Sequence, residues 1–244
     1  MYETYIFDLY GTLVDIRTNE EKPYLWKKMS EIYSSMGACY EPMELKREMR
    51  FLEKAQKESS CDNMEGAFKD NTVEPDLTKV FEKLYEQKGC AVGSDVVRLT
   101  AITFRTLSRQ RLEVYEGVKE TLVRLHNNGK KIYLLSNAQK DFTRPELDIL
   151  GLTPYFDGIM ISSEEGCKKP SELFYNKLLQ RYNLDVNKCL MVGNDEMSDI
   201  EGALRIGMDS LYINTDISPQ LEAKSRATYC VMDGGFKKAA QIYL

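Results

Sequence analysis

The chain has 244 residues, 43% of them apolar and 29% charged, enough for one packed domain or for a core with a smaller inserted partner. A formal charge of −5 leaves no basic surplus to neutralise a phosphate backbone or an anionic bilayer, so neither nucleic acid nor membrane is expected as a partner. Six scattered cysteines without a C-x-x-C pair, and a single histidine, set aside zinc sites, disulfide scaffolds and triads built on a histidine base.

The first residues, Met1-Tyr2-Glu3-Thr4, carry no basic segment and no long apolar run, and the expected location is the cytoplasm. Tyr5-Ile6-Phe7 reads as a short apolar strand that delivers Asp8 to its end, followed at once by the turn Leu9-Tyr10-Gly11-Thr12. From about Ile16 to Arg111 the pattern turns helical. Leu25, Met29, Ile32 and Met36 share one stripe that stops at Gly37, and further helical stretches cover Glu44–Lys57, Asp76–Lys88 and Ser94–Arg109. No strand is expected between them, and the polar stretch Glu58–Glu74 reads as a loop. Val118, Leu122 and Leu125 mark a helix whose last turn holds His126, where the helix dipole and solvent suit it.

Ile132–Leu135 is the next strand and ends in Ser136-Asn137; Ile159-Met160-Ile161 follows. Gly166-Cys167-Lys168-Lys169-Pro170 then opens a helix over Leu173–Tyr182. Leu190-Met191-Val192 ends at Gly193-Asn194-Asp195-Glu196-Met197-Ser198-Asp199, and Leu211-Tyr212-Ile213 and Tyr229–Met232 complete the strands. Strands alternating with helices imply a parallel sheet covered on both faces, with ligands bound beyond the carboxyl ends of the strands. The expected fold is α/β: a Rossmann-like, doubly wound parallel sheet core over 1–16 and 112–244, with an inserted α-helical cap domain over 17–111.

Each polar residue at a strand end has an ordinary structural reading beside a chemical one. Asp8 can form a turn, Ser136 and Asn137 can cap a helix, Lys169 can be a solvated charge, and one acid of the fourth motif can cap the helix behind it. Together, and in this order, the four motifs resemble the signature of haloacid dehalogenase-like hydrolases. The resemblance implies that Asp8 is a nucleophile passing through an aspartyl ester, that Thr12 orients the bound group, and that Gly11, Ser136, Asn137 and Lys169 meet the substrate. It also implies a Mg²⁺ ion held by Asp8, the carbonyl of Tyr10, Asp195 and Asp199. Lys169, directly before Pro170, matches the family's lysine; Lys168 is its neighbour.

Two positions depart from the family's phosphatase pattern. Tyr10 stands where a second Asp acts as general acid and base, and a phenol is a poor base at neutral pH. Esters whose leaving groups need little protonation are therefore expected to be favoured. Asn194 stands where the metal-binding Asp is usual, and Asp195 is expected to take over. The first reading is Mg²⁺-dependent hydrolysis of a small anionic, phosphorylated metabolite by a monomer or homodimer. The alternatives are a 2-haloacid dehalogenase working without metal, since that group shares the Asp-x-Tyr form, and a weakly active ligand-binding or interaction module. A dehalogenase also needs an arginine for the halide, for which the cap offers Arg17, Arg47 and Arg50.

Overall fold

The computed structural model describes residues 2–62 and 72–244. Strand β1 (Thr4–Phe7) leads into β2 (Val14–Thr18), then helices α1 (Pro23–Ser35), α2 (Pro42–Asp62), α3 (Leu77–Glu86) and α4 (Ser94–Ser108), and then β3 (Arg109–Val114). The chain continues through α5 (Val118–Asn127), β4 (Lys131–Ser136), α6 (Lys140–Leu150), β5 (Gly158–Ile161), the short α7 (Ser162–Glu165) and α8 (Glu172–Tyr182). It closes with β6 (Cys189–Gly193), a π-helical turn over Glu196–Ile200, α9 (Glu201–Arg205), β7 (Asp209–Ile213), β8 (Tyr229–Val231) and α10 (Gly235–Ile242).

All six apolar runs anticipated as strands enter one parallel sheet in the order β5-β4-β1-β6-β7-β8. Because side chains alternate along a strand, Tyr5 and Phe7 face one way and Ile6 the other. The first face packs on Val118, Leu122 and Leu125 of α5 and on Phe236 and Ala239 of α10. The second packs on Phe174, Tyr175 and Leu178 of α8 and on Ala203 of α9. With both faces covered, the central strands are apolar throughout rather than alternating, which is what made them readable.

The helical insert has its own apolar cluster, in which Leu25, Trp26 and Met29 of α1 meet Phe81 and Leu84 of α3 and Phe104 of α4. Phe142 of α6 joins that cluster from the sheet's side of the molecule, stacked at 6.2 Å on Phe104. Asp76 caps α3, its side chain accepting from Thr78 N at 3.0 Å.

Three details differ from the expectation. First, β2 and β3 pair antiparallel as a ribbon at the two junctions of the insert, Ile16 opposite Leu112, so strands exist where none was expected. Second, α2 runs on to Asp62, into the anticipated loop; residues 63–71 of that loop lie outside the described residues. Third, Met36 lies beyond the end of α1 and is 47% exposed, so the buried stripe ends with Tyr33.

Candidate active site

Phe7 pairs with Leu134 on one side and Val192 on the other, so the residues just beyond β1, β4 and β6 meet at one edge of the sheet. The strand order reverses there, since β4 and β5 lie to one side of β1 and β6 to β8 to the other. Such switch points leave a crevice at the carboxyl edge.

Asp8 stands directly past β1, its N–H held by Val192 O at 2.9 Å. Lys169 Nζ lies 2.6 Å from Asp8 Oδ1 and 2.7 Å from Asp199 Oδ1. All three residues are buried, with Lys169 only 2% exposed. Burial works against the Lys169 charge, but Asp199 and Asp8 outweigh it and hold the ammonium above its ordinary range. Burial pushes the Asp199 carboxyl up to about 7; Lys169 pulls it down and Asp8 pushes it further up. Asp199 is fixed from behind, because its Oδ2 accepts from the N–H groups of Asn194 and Asp195 at 3.1 Å each. Gly193 makes this approach possible: a Cβ there would sit 2.2 Å from Asp199 Oδ2.

Ser136 ends β4 with its hydroxyl fully enclosed and without a hydrogen-bond partner. An orphaned buried hydroxyl is costly unless a ligand completes it. Thr12 Oγ1 lies 3.3 Å from Asp8 Oδ2 and 3.2 Å from Asn194 Oδ1. One hydroxyl hydrogen thus serves two oxygens, which remain electron-rich and incompletely satisfied, a donor set suited to a hard cation. Among the described residues no cluster of three or more His, Cys, Asp or Glu side chains forms a metal site. The oxygens brought together are mixed in kind: the Asp8 carboxylate and the Asn194 amide oxygen, both at Thr12 Oγ1, with Asp199 behind them on Lys169 and the Asn194 N–H.

Four of these residues have contacts that bear on the expectation. Asp195 Oδ1 caps the π-helical turn, accepting from Met197 N at 2.8 Å and Ser198 N at 3.4 Å. Asn194 faces Thr12, and its amide nitrogen donates to Ser218 Oγ at 3.3 Å, which fixes which end of the amide turns inward. Asn137 holds the backbone of Lys169, accepting from its N–H at 2.8 Å and donating to its carbonyl at 3.0 Å, while it also lines the cavity described below. Gly11 donates its own N–H to Val14 O and has φ +88°; a Cβ there would fall 2.3 Å from Asn194 Nδ2, so the glycine makes room for Asn194.

Tyr10 points away from Asp8's carboxylate and into the seam between sheet and insert. Its hydroxyl donates to Glu146 Oε2 at 2.5 Å and lies 3.1 Å from Thr143 Oγ1. Burial, and the Glu146 charge after it, push the phenol above its ordinary range, so it does not act as a base. Glu146, 1% exposed, also takes Arg105 of α4 at 2.8 Å and Arg109 of β3 at 3.1 Å. Neither Glu146 nor Arg105 was anticipated: each sits in a helix with no local motif around it.

A cavity of about 270 Å³ lies between Lys57, Glu74 and Arg105 of the insert and Tyr10, Asn137 and Lys168, the last two being chain neighbours of Ser136 and Lys169. Lys168 Nζ is 3.8 Å from Glu74 Oε2 and has no contact with Asp8, so the two adjacent lysines face different partners. Arg17 pairs with Asp15 and Asp216, Arg47 with Glu48, and Arg50 with Glu21, and none of the three lines the cavity. His126 Nε2 lies 2.7 Å from Tyr155 O at the end of α5, a structural contact.

The doubly wound sheet thus sets an aspartate, a buried lysine and a second aspartate together at its switch point. A family model described as haloacid dehalogenase-like hydrolase matches residues 2–207, and the chain belongs to that family of enzymes. It is 30% identical over 119 residues to a ribulose-1,5-bisphosphate 5-phosphatase of Halopiger xanaduensis, covering 48% of this chain and 50% of that protein. It is 28% identical over 151 residues to a glyceraldehyde 3-phosphate phosphatase of Pyrococcus furiosus, covering 61% and 60% respectively. The chain thus spans about half to three-fifths of the length of these relatives. In fold it is similar to a 2-haloacid dehalogenase of Pseudomonas syringae (TM-score 0.67, 17% identity, 99% and 97% of the two chains). It is also similar in fold to a phosphatase of Thermococcus onnurineus (TM-score 0.60, 17% identity, 98% and 97%).

Proposed function

We propose that the protein is a Mg²⁺-dependent phosphomonoester hydrolase of a small phosphorylated metabolite, with Asp8 as nucleophile. The observation that carries this reading is the enclosed, unpartnered Ser136 hydroxyl at the same strand edge as the Lys169 ammonium and the Asp8 carboxylate. A phosphoryl group beside Asp8 takes the hydrogen bond Ser136 lacks and shares the Lys169 charge. Asp8 attacks phosphorus, the ester oxygen leaves with the alcohol, and water then cleaves the aspartyl phosphate, releasing phosphate and restoring the carboxylate. Asp199 and Asn137 hold Lys169 in place, and Thr12 orients Asp8. Asp8, Asn194 and the Tyr10 carbonyl would hold the cation, whose charge, when bound, offsets that of the phosphoryl oxygens.

We assign 17–111 as the cap over this site, and 1–16 with 112–244 as the core, in keeping with the junction ribbon and the insert's own apolar cluster. A cytoplasmic setting belongs to the same reading, since phosphorylated metabolites are found there. The dehalogenase alternative is weakened because Arg17, Arg47 and Arg50 are paired elsewhere and Arg105, which does line the cavity, is ion-paired with Glu146. A non-catalytic module has no use for a lysine buried between two carboxylates. Hydrolysis of 4-nitrophenyl phosphate with and without Mg²⁺ tests the proposal. Cation-dependent release of phosphate is expected, and chloride release from 2-chloropropionate without any phosphatase activity would reverse it.

A further inference from the structure

The cavity between insert and sheet side adjoins the site along three separate stretches of chain. Tyr10 lines it two residues past Asp8, Asn137 one residue past Ser136, and Lys168 one residue before Lys169. Neighbouring Cα atoms are about 3.8 Å apart, so the cavity lies within the span of a short carbon chain from a phosphoryl group at Asp8. Tyr10, Leu77 and Phe142 give it an apolar wall, and the Arg105 guanidinium lies 5.4 Å from the centroid of each of the two rings.

Three cations and two carboxylates line the cavity: Lys57, Arg105 and Lys168 against Glu53 and Glu74. The cations differ in how fully they are engaged. Arg105 meets both oxygens of Glu146, at 2.8 and 3.2 Å, and Lys57 Nζ lies 2.7 Å from Glu53 Oε1. Lys168 has only Glu74 Oε2, at 3.8 Å, beyond hydrogen-bond reach. Among the described residues its ammonium donates no hydrogen bond, although the side chain is only 24% exposed. Glu74 is better served, since its Oε1 accepts from Gln139 Nε2 at 2.8 Å and Ser162 also hydrogen-bonds the carboxylate. The insert fixes the backbone beneath Lys168 by a short antiparallel ladder. Lys168 N donates to Thr72 O at 2.8 Å, Val73 bridges Cys167, and Glu74 N donates to Gly166 O at 3.4 Å.

We infer that the cavity receives the leaving group of the ester and that Lys168 selects for a second anionic group on it, a carboxylate or a second phosphate; this rests on the phosphatase reading above. The phosphoryl end sits with Asp8, Ser136 and Lys169, and the carbon chain runs along Tyr10, Leu77 and Phe142. Its far end accepts from Lys168 the charge-assisted hydrogen bond that the ammonium lacks. Glu74 is the competitor: an anionic leaving group displaces its loose contact with Lys168, whereas a neutral one leaves that contact in place. Burial holds the Glu74 carboxyl above its ordinary range, against the pull of Lys168, Gln139, Lys57 and Ser162, which eases the exchange.

The test uses two matched pairs of esters with the full chain and Mg²⁺. 3-Phosphoglycerate and glycerol 3-phosphate differ by a carboxylate; fructose 1,6-bisphosphate and fructose 6-phosphate differ by a phosphate. The wild type is expected to favour the anionic member of at least one pair by about 10–100-fold in kcat/KM, and the pair that shows it identifies the group. Lys168→Met keeps the stem and removes the ammonium, and is expected to erase most of that preference, with the loss carried in KM. Lys168→Arg is expected to restore part of it. Glu74→Gln removes the competing charge and is expected to raise the preference, an opposite sign that general damage to the cavity does not produce. A wild type with no preference in either pair, or active on 4-nitrophenyl phosphate alone, overturns the inference. So does a Lys168→Met variant that keeps the preference, or a Glu74→Gln variant that loses it. Wild-type enzyme inert toward all five esters overturns the phosphatase reading itself.

Discussion

Asp8 has no substitute within reach, since Asp199 is held by two backbone N–H groups and by Lys169. Asp8→Asn keeps the shape and removes the attacking charge, so phosphatase turnover is expected to fall to background while the circular dichroism spectrum is unchanged. Lys169 neutralises negative charge in a dry site, and Lys169→Ala is expected to lower kcat by about 10²–10³-fold. Lys168→Ala, which removes no contact to Asp8, is expected to change kcat by less than about tenfold. Parallel rate measurements on the two variants separate these outcomes. The Asp199 carboxyl, raised to about 7 in the folded chain, binds its proton more readily there than in the unfolded chain. Its contribution to stability is therefore largest at low pH and declines as pH rises from about 4 through 7. Urea unfolding of Asp199→Asn without added cation is expected to lack that part of the decline.

The elements differ in how openly the sequence displays them. Each sheet strand was legible because burial on both faces demands a short, continuous apolar run, as in Leu190-Met191-Val192. The β2–β3 ribbon was not, because Arg109–Val114 is half exposed and reads Arg-Gln-Arg-Leu-Glu-Val, with no buried face to impose a pattern. In the site, Asp8 and Ser136 follow directly from strand ends, and Lys169 from its place before Pro170 ahead of α8. The exchange of Asn194 and Asp195 was hidden because an amide and a carboxylate side by side can each cap a turn, and only the direction of the chain after β6 decides which one does. Glu74 was hidden for another reason: it lies in a polar stretch whose placement depends on pairing with Gly166–Lys168, far away in sequence. The Gly11 turn carries its own prediction. Alanine there meets both a left-handed backbone and the Asn194 side chain, so Gly11→Ala is expected to destabilise the fold by about 1–3 kcal/mol, measured by chemical denaturation.

Across the whole molecule, two apolar clusters are joined by Phe142 and by the Glu146 carboxylate, which binds an arginine of α4, an arginine of β3 and the phenol of Tyr10. Trp26, the single tryptophan, belongs to the insert and lies 5.7 Å from Phe104, so its fluorescence reports that cluster alone. In the wild type, unfolding followed by Trp26 emission and by far-ultraviolet circular dichroism is expected to coincide. Glu146→Ala leaves two arginines and a phenol without their acceptor in the seam, and the fluorescence transition is expected to move to lower denaturant than the circular dichroism transition. Transitions that stay superimposed in the variant would show that Phe142 and the Thr72–Glu74 ladder suffice to couple the two clusters.

The amide of Asn194 also has a bearing on how fast the enzyme frees itself. An aspartate there would repel a bound phosphate ion, and that repulsion helps expel the product; at about 4 Å it amounts to roughly 4 kcal/mol at an effective dielectric of 20, before screening. Asn194 supplies an oxygen with no such repulsion, turned inward by Ser218. On the proposed phosphatase reading, inorganic phosphate is accordingly expected to dwell in the site and slow turnover as it accumulates, and its inhibition constant is expected to be lower in the wild type than in Asn194→Asp.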